Sequence, residues 1–202
     1  MKDSREHILA TSLQLFLQKS FKEVTMREIV EQTGLSKGAF YHYFSSKEQV
    51  FEEILHHFFA DFFREDFNQL PNDGLLQFYS ARLADMERKL KAAEMKFGSN
   101  NKQQVFNSNY YYLLFDAMKM LPSFKKELFA HQGEELKAWI RVVRTARKNK
   151  EIDTKMTDAQ VAKLFIFAGD GMGINLILTD DITKMKRELQ SLWDGIYLCI
   201  KT

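Results

Sequence analysis

An all-α fold is predicted by three observations: helix breakers are scarce, apolar residues recur at helical spacing along most of the chain, and serine or threonine caps stand where those runs begin. Two prolines and nine glycines in 202 residues fall well under the roughly 12% of average usage. With 45% hydrophobic and 28% charged residues the chain can bury a core, which excludes a disordered tail. Its single cysteine excludes an internal disulfide or a cysteine-rich zinc site and fits a reducing compartment. The longest charge-free run, Gln103–Phe115, is shorter than the roughly 18 apolar residues of a membrane span, so no transmembrane helix and no membrane partner are expected. The start of the chain alternates Lys2, Asp3, Arg5 and Glu6 where a secretory leader would be apolar, and a cytoplasmic location is expected. Net charge is only +2, so a nucleic-acid partner demands positive charge placed locally.

Each element follows from the same signals. Ile8, Leu9, Leu13, Phe16 and Leu17 line one face of a first helix over 5–19. Thr25 with Glu28 three residues later makes a capping box for a second, whose buried stripe is Met26, Ile29 and Val30. Gly34 suits the left-handed residue that ends a helix and Ser36 the N-cap of another. The result is helix, tight turn, helix. Ser45 or Ser46 then caps a long helix from Lys47 to about Leu70, read as a connector, and Pro71-Asn72-Asp73-Gly74 is the clearest loop. Further helices are expected at about 75–96, 104–120, 124–148, 157–178 and 181–200. The expected division is a compact, basic-faced unit over 1–46 and a larger aromatic-rich helical body over 47–202.

The turn from Thr33 to Ser36 has the arrangement of a helix-turn-helix, in which the second helix enters the major groove. Phe40 and Phe44 are i,i+4 neighbours that face inward with Leu35, leaving Lys37, Gly38, Tyr41 and His42 outward. Between Thr33 and Lys47 there are two lysines and no acidic residue, the local positive surface that the small net charge requires. Thr25 and Ser36 at helix starts, and Lys47, suit phosphate oxygens, while Gly38 allows close approach to the groove. The spacing alone also fits a purely structural role.

The residues Thr25-Met26-Arg27-Glu28-Ile29-Val30, Thr33-Gly34-Leu35-Ser36-Lys37-Gly38-Ala39-Phe40-Tyr41-His42-Tyr43-Phe44 and Ser46-Lys47-Glu48 closely resemble the N-terminal motif of TetR-family transcriptional regulators. The resemblance implies an all-helical homodimer whose N-terminal helix-turn-helix domains bind a palindromic double-stranded DNA operator and whose C-terminal domains bind a small-molecule effector and dimerise. Carried onto matching positions, it implies DNA contacts at Thr25, Ser36, Lys37, Tyr41, His42 and Lys47. Tyr43 departs from the family pattern, and its role is left open.

Eighteen Phe and seven Tyr fit either a packed core or the lining of an effector cavity. Phe106, Tyr110, Tyr111, Phe115, Met118 and Trp139 are the cavity candidates, and they predict a largely apolar or aromatic ligand. Gly169 and Gly173 are four apart on an apolar helix, and Met185, Leu189, Leu192 and Ile196 follow a three-four spacing that makes a coiled-coil-like seam. Pattern alone leaves intrachain and interchain packing open; the resemblance favours a dimer interface. Asp170 between glycines is unexplained. Glu53-x-x-His56 has metal-ligand spacing but no second set, so no metal or cofactor is expected. The basic run from Arg141 to Lys150 reads as a solvated helix end. No nucleophile, acid-base pair or metal cluster recommends an enzyme. The expectation is a ligand-released repressor; the alternative is a helical small-molecule-binding protein whose first unit serves protein contacts.

Overall fold

The computed structural model describes residues 2–58, 66–97, 108–179 and 181–202, and among them the regular elements are all helical. In order they are α1 (Lys2–Gln18), α2 (Met26–Thr33), α3 (Lys37–Tyr41), α4 (Lys47–Phe58), α5 (Leu75–Phe97), α6 (Ser108–Met120), α7 (Pro122–Lys148), α8 (Asp158–Leu178) and α9 (Met185–Ile200). Short 3-10 turns lie at Phe67–Gln69 and Ile182–Lys184. α7 starts at Pro122, earlier than expected, because proline's missing N–H is no loss in a helix's first turn. The connector does not run unbroken to Leu70. Asp66 is extended, and its carboxylate accepts from Asn68 N at 3.0 Å to start a separate 3-10 turn.

Packing divides the chain into residues 1–65 with 93–128 and residues 66–92 with 129–202, not at residue 46. The physical reason is that α4 completes the first core: Val50, Phe51, Ile54 and Leu55 are fully buried in one cluster with Ile8, Leu9 and Phe16 of α1. Phe16 meets Phe51 edge-on at 5.4 Å. Leu113 and Ala117 of α6 join the same cluster, and Asn109 Nδ2 donates to Leu17 O at 2.8 Å.

The second unit is organised on aromatic rings. Trp139 of α7 stacks on Phe165 of α8 at 5.1 Å and meets Phe78 of α5 and Trp193 of α9 edge-on at 4.9 and 5.3 Å. Two polar handles orient the cluster: Trp193 Nε1 donates to Phe165 O at 2.9 Å, and the Tyr79 hydroxyl donates to Asp194 Oδ1 at 2.7 Å. Burial, then that carboxylate, pushes the Tyr79 hydroxyl's pKa well up, so it remains a donor.

α7 ends in a Schellman motif, with Glu151 N donating to Ala146 O at 2.8 Å and Lys150 N to Arg147 O at 3.1 Å. Lys150 holds the left-handed position at φ 58°. The turn aims Glu151 at the start of α5, where its carboxylate accepts from Leu75 N and Leu76 N at 2.9 and 3.0 Å. A Cβ at Gly74 would lie 2.7 Å from Glu151 Oε2, so a side chain there would make that carboxylate shift.

α8 corrects one sequence expectation: by length and composition it is long and apolar enough to cross a membrane. Lys163 and Asp170 interrupt its charge-free runs, so a count of such runs passes over it. Val161, Ala162, Phe165, Leu176 and Ile177 are buried within the second unit, which makes it a core helix of that unit.

Candidate nucleic-acid interface

The turn chemistry is as read from the sequence. Thr25 Oγ1 accepts from Glu28 N at 3.2 Å, Gly34 takes φ 65° with its N–H on Glu31 O, and Ser36 Oγ accepts from Ala39 N at 3.3 Å. Gly34's positive φ is the one a side chain would oppose at this corner. Phe40 and Phe44 are sealed in the first core with Leu35 packed against it. This anchoring turns Lys37, Gly38, Tyr41 and His42 to solvent; Tyr41 is 44% exposed. A Cβ at Gly38 would meet nothing within 4 Å, so no neighbour within the chain demands a glycine there. Lys37 makes no ion pair among the described residues. Tyr43 gains a role: half-buried against the core, its ring meets that of His42 at 5.3 Å and backs it.

Lys47 differs from expectation. Its Nζ donates to Phe21 O and Val24 O, both at 2.7 Å, and stands 4.3 Å from the Phe21 ring centroid. The ammonium therefore fastens the α1–α2 loop, whose next residue is the cap Thr25, to the first turn of α4. Two of its three donors are thus engaged within the chain. Nearby, Arg5 pairs with Glu53, Lys19 with Glu28, and His7 Nε2 lies 3.0 Å from Thr33 O, tying α1 to α4 and α2.

The described cavity candidates fall in both packing units. Phe106 and the side chain of Tyr110 lie outside the described residues. Tyr111, Phe115 and Met118 belong to the first unit, where Phe115 is 58% exposed and Met118 packs on the core. Trp139 belongs to the second and is closed in by rings on three sides, so it packs as core. Its Nε1 has no hydrogen-bond partner among the described residues.

Four of the seam residues have partners within the chain. A Cβ on Gly169 would lie 3.4 Å from Trp193 Cζ2 and 3.5 Å from Leu189 Cδ1, and one on Gly173 would lie 3.4 Å from Met185 Cε. Gly169, Gly173, Met185 and Leu189 thus form the α8–α9 contact inside one chain, because small residues let the two backbones approach. Leu192 and Ile196 are half-buried.

Sequence reasoning missed a charged layer in the second unit. Arg82 Nη2 donates to Glu135 Oε1 at 2.9 Å, and its guanidinium lies 5.3 Å from the Phe67 ring centroid. Asp170 lies close enough to sense both charges; burial first, then Glu135, pushes its pKa up to about 6 against the opposing pull of Arg82. The partners are 53 positions apart in sequence, a separation no local pattern reports.

Fold and face together define a helix-turn-helix protein. Residues 8–54 match the sequence profile of the bacterial regulatory proteins of the tetR family. Over this segment the chain is similar to that family. It is 48% identical over 50 residues to the uncharacterized HTH-type transcriptional regulator YerO of Bacillus subtilis, which is 25% of this chain and 17% of that one. It is 43% identical over 58 residues to the HTH-type transcriptional repressor NemR of Escherichia coli, 29% of each chain. The matched stretches thus span under a third of either relative. The crystal structure of reduced Escherichia coli NemR superposes with a TM-score of 0.59 at 20% identity, covering 99% of both chains, a likeness of fold.

Proposed function

We propose that the chain is a DNA-binding transcriptional regulator that acts as a homodimeric repressor on a palindromic operator and is released by a small, largely apolar or aromatic effector. The observation that carries this reading is the outward set Lys37, Gly38, Tyr41 and His42 on a short helix whose other side is locked by Phe40 and Phe44. Such a helix offers a cation, a phenol and an imidazole to base edges and phosphates, while the caps Thr25 and Ser36 stand exposed at two helix starts. That NemR is described as a repressor supports the sign of regulation. Tyr112 and Phe115, each 58% exposed on α6, support an aromatic ligand, since stacked and edge contacts with such rings favour a planar apolar partner. Release follows by linkage: an effector that prefers the form binding DNA weakly lowers DNA affinity by its differential affinity for the two forms.

The test is selection of purified protein on a randomised double-stranded DNA library. Enrichment of an inverted repeat, lost in Lys37→Ala, supports the reading. Enrichment of no sequence, with no protection of duplex DNA at low salt, overturns it in favour of a helical binding protein without a DNA target.

A further inference from the structure

Gly38 is the second residue of α3, a helix of five residues, and a glycine inside a helix weakens it relative to alanine. No feature of the chain calls for one there. Among the described glycines Gly34 is the one with a positive φ, so Gly38 has backbone angles that any residue adopts. A Cβ added to it would meet nothing within 4 Å. Close approach of a group from outside the chain supplies the reason.

The position is a notch. On a helix the residues three and four further along are neighbours, and their side chains lean back over the preceding turn. Tyr41 and His42 therefore stand over Gly38 and Lys37 flanks it, all of them exposed. His42 keeps helical angles, φ −65° and ψ −29°, and the Tyr43 ring backs its imidazole at 5.3 Å. Side chains with polar tips thus rim a patch of bare backbone. Its floor is apolar, because the Gly38 carbonyl already accepts from His42 N at 3.1 Å and the Cα carries only hydrogens.

An occupant must be small, apolar and projecting, and it must stand among groups that suit a cation, a phenol and an imidazole. Base edges in the major groove present donors, acceptors and one apolar projection, the 5-methyl group of thymine. A Cβ at residue 38 would fill the space that this methyl needs.

We infer that Gly38 is a specificity-determining residue, which selects thymine by its 5-methyl group at one position of each operator half-site. The inference rests on the DNA-binding reading above and deepens it by naming a base which that reading leaves open.

The test starts from the operator that the full wild-type chain selects out of a randomised duplex library. Each thymine is then replaced by deoxyuridine, which removes the methyl and leaves every hydrogen-bonding group in place. At one symmetry-related pair of positions the wild type should lose about four-fold in affinity per methyl, the worth of one buried methyl group. Gly38→Ala puts a Cβ in the notch, and since alanine favours a helix the variant should be at least as stable to heat as wild type. On the thymine operator it should lose about ten-fold or more, the scale of one mismatched base pair. It should lose nothing further, or regain affinity, when that pair of thymines becomes deoxyuridine. Enrichment of no sequence by the wild type overturns the DNA-binding reading itself. An inverted repeat whose thymines all tolerate deoxyuridine leaves that reading standing and overturns the inference. So does a Gly38→Ala chain that loses the same factor on the thymine and deoxyuridine duplexes, which assigns the glycine to the sugar-phosphate backbone.

Discussion

Lys37 and Lys47 are both lysines of the helix-turn-helix, yet their surroundings give them different work. Lys37 stands in solvent on the outward face of α3, so neutralising a phosphate with it would release about one counterion's worth of salt dependence. Lys37→Ala is expected to weaken binding to all DNA sequences and to flatten the slope of log affinity against log salt by about one. Lys47 instead holds two carbonyls, 26 and 23 residues upstream. Lys47→Met keeps the aliphatic stem and removes both donors, leaving those carbonyls without their ammonium. It should lower thermal stability by about 1–3 kcal/mol, as loss of charge-assisted hydrogen bonds does, and weaken DNA binding while the salt slope stays at the parent value. A slope that falls by one in Lys47→Met would make it a phosphate contact after all. Sequence pointed to a lysine at that position but not to its partners, because backbone carbonyls carry no residue signal.

At the scale of elements, the legible features were those with local chemistry: Thr25 and Ser36 as caps, Gly34 as a left-handed stop, and the inward Phe40 and Phe44. α7 ends less predictably, because its left-handed position is filled by Lys150 at φ 58° where glycine is usual. A side chain there carries a steric cost that glycine lacks. Lys150→Gly should raise stability by about 0.5–1 kcal/mol, read as a shift in denaturant midpoint with unchanged slope. A loss of stability would mean that the lysine side chain gives more to the fold than its backbone costs. The opposite sign is expected nearby. Gly74→Ala must push aside the Glu151 carboxylate that caps α5, so it should destabilise by about 1 kcal/mol or more, the scale of a lost cap. The Gly169/Gly173 side of α8 was legible as a contact, but not whether its partner lies in the same chain. Period reports that a helix has a seam without telling whether that seam meets its own chain.

On the scale of the whole molecule, the helical class and the outward orientation of Lys37, Tyr41 and His42 were legible because they follow from composition and local spacing, whereas the charged layer of Arg82, Glu135 and Asp170 arises only when α5, α7 and α8 assemble. That layer makes a prediction about pH. Asp170 is exposed on one side, but the protein around it disfavours its charged form, and the repulsion of Glu135 outweighs the attraction of Arg82. Its carboxyl therefore titrates at about 6 in the folded chain against the ordinary 3.8. Between those values the folded state holds a proton that the unfolded chain has released, so this group's contribution to stability falls as pH rises through that window and is level above it. Other carboxylates work in the opposite sense at lower pH: hydrogen bonds hold Glu23, Glu28, Asp66 and Glu87 below their ordinary values. The difference between parent and Asp170→Asn cancels them. Asparagine has no charge to bury, so the variant should gain on the parent steadily from pH 4 to pH 6 and keep a constant lead up to pH 8, measured by urea denaturation at fixed ionic strength. Parallel stability profiles for the two proteins would show that Asp170 titrates as an ordinary surface carboxylate and that Glu135 and Arg82 cancel at its position.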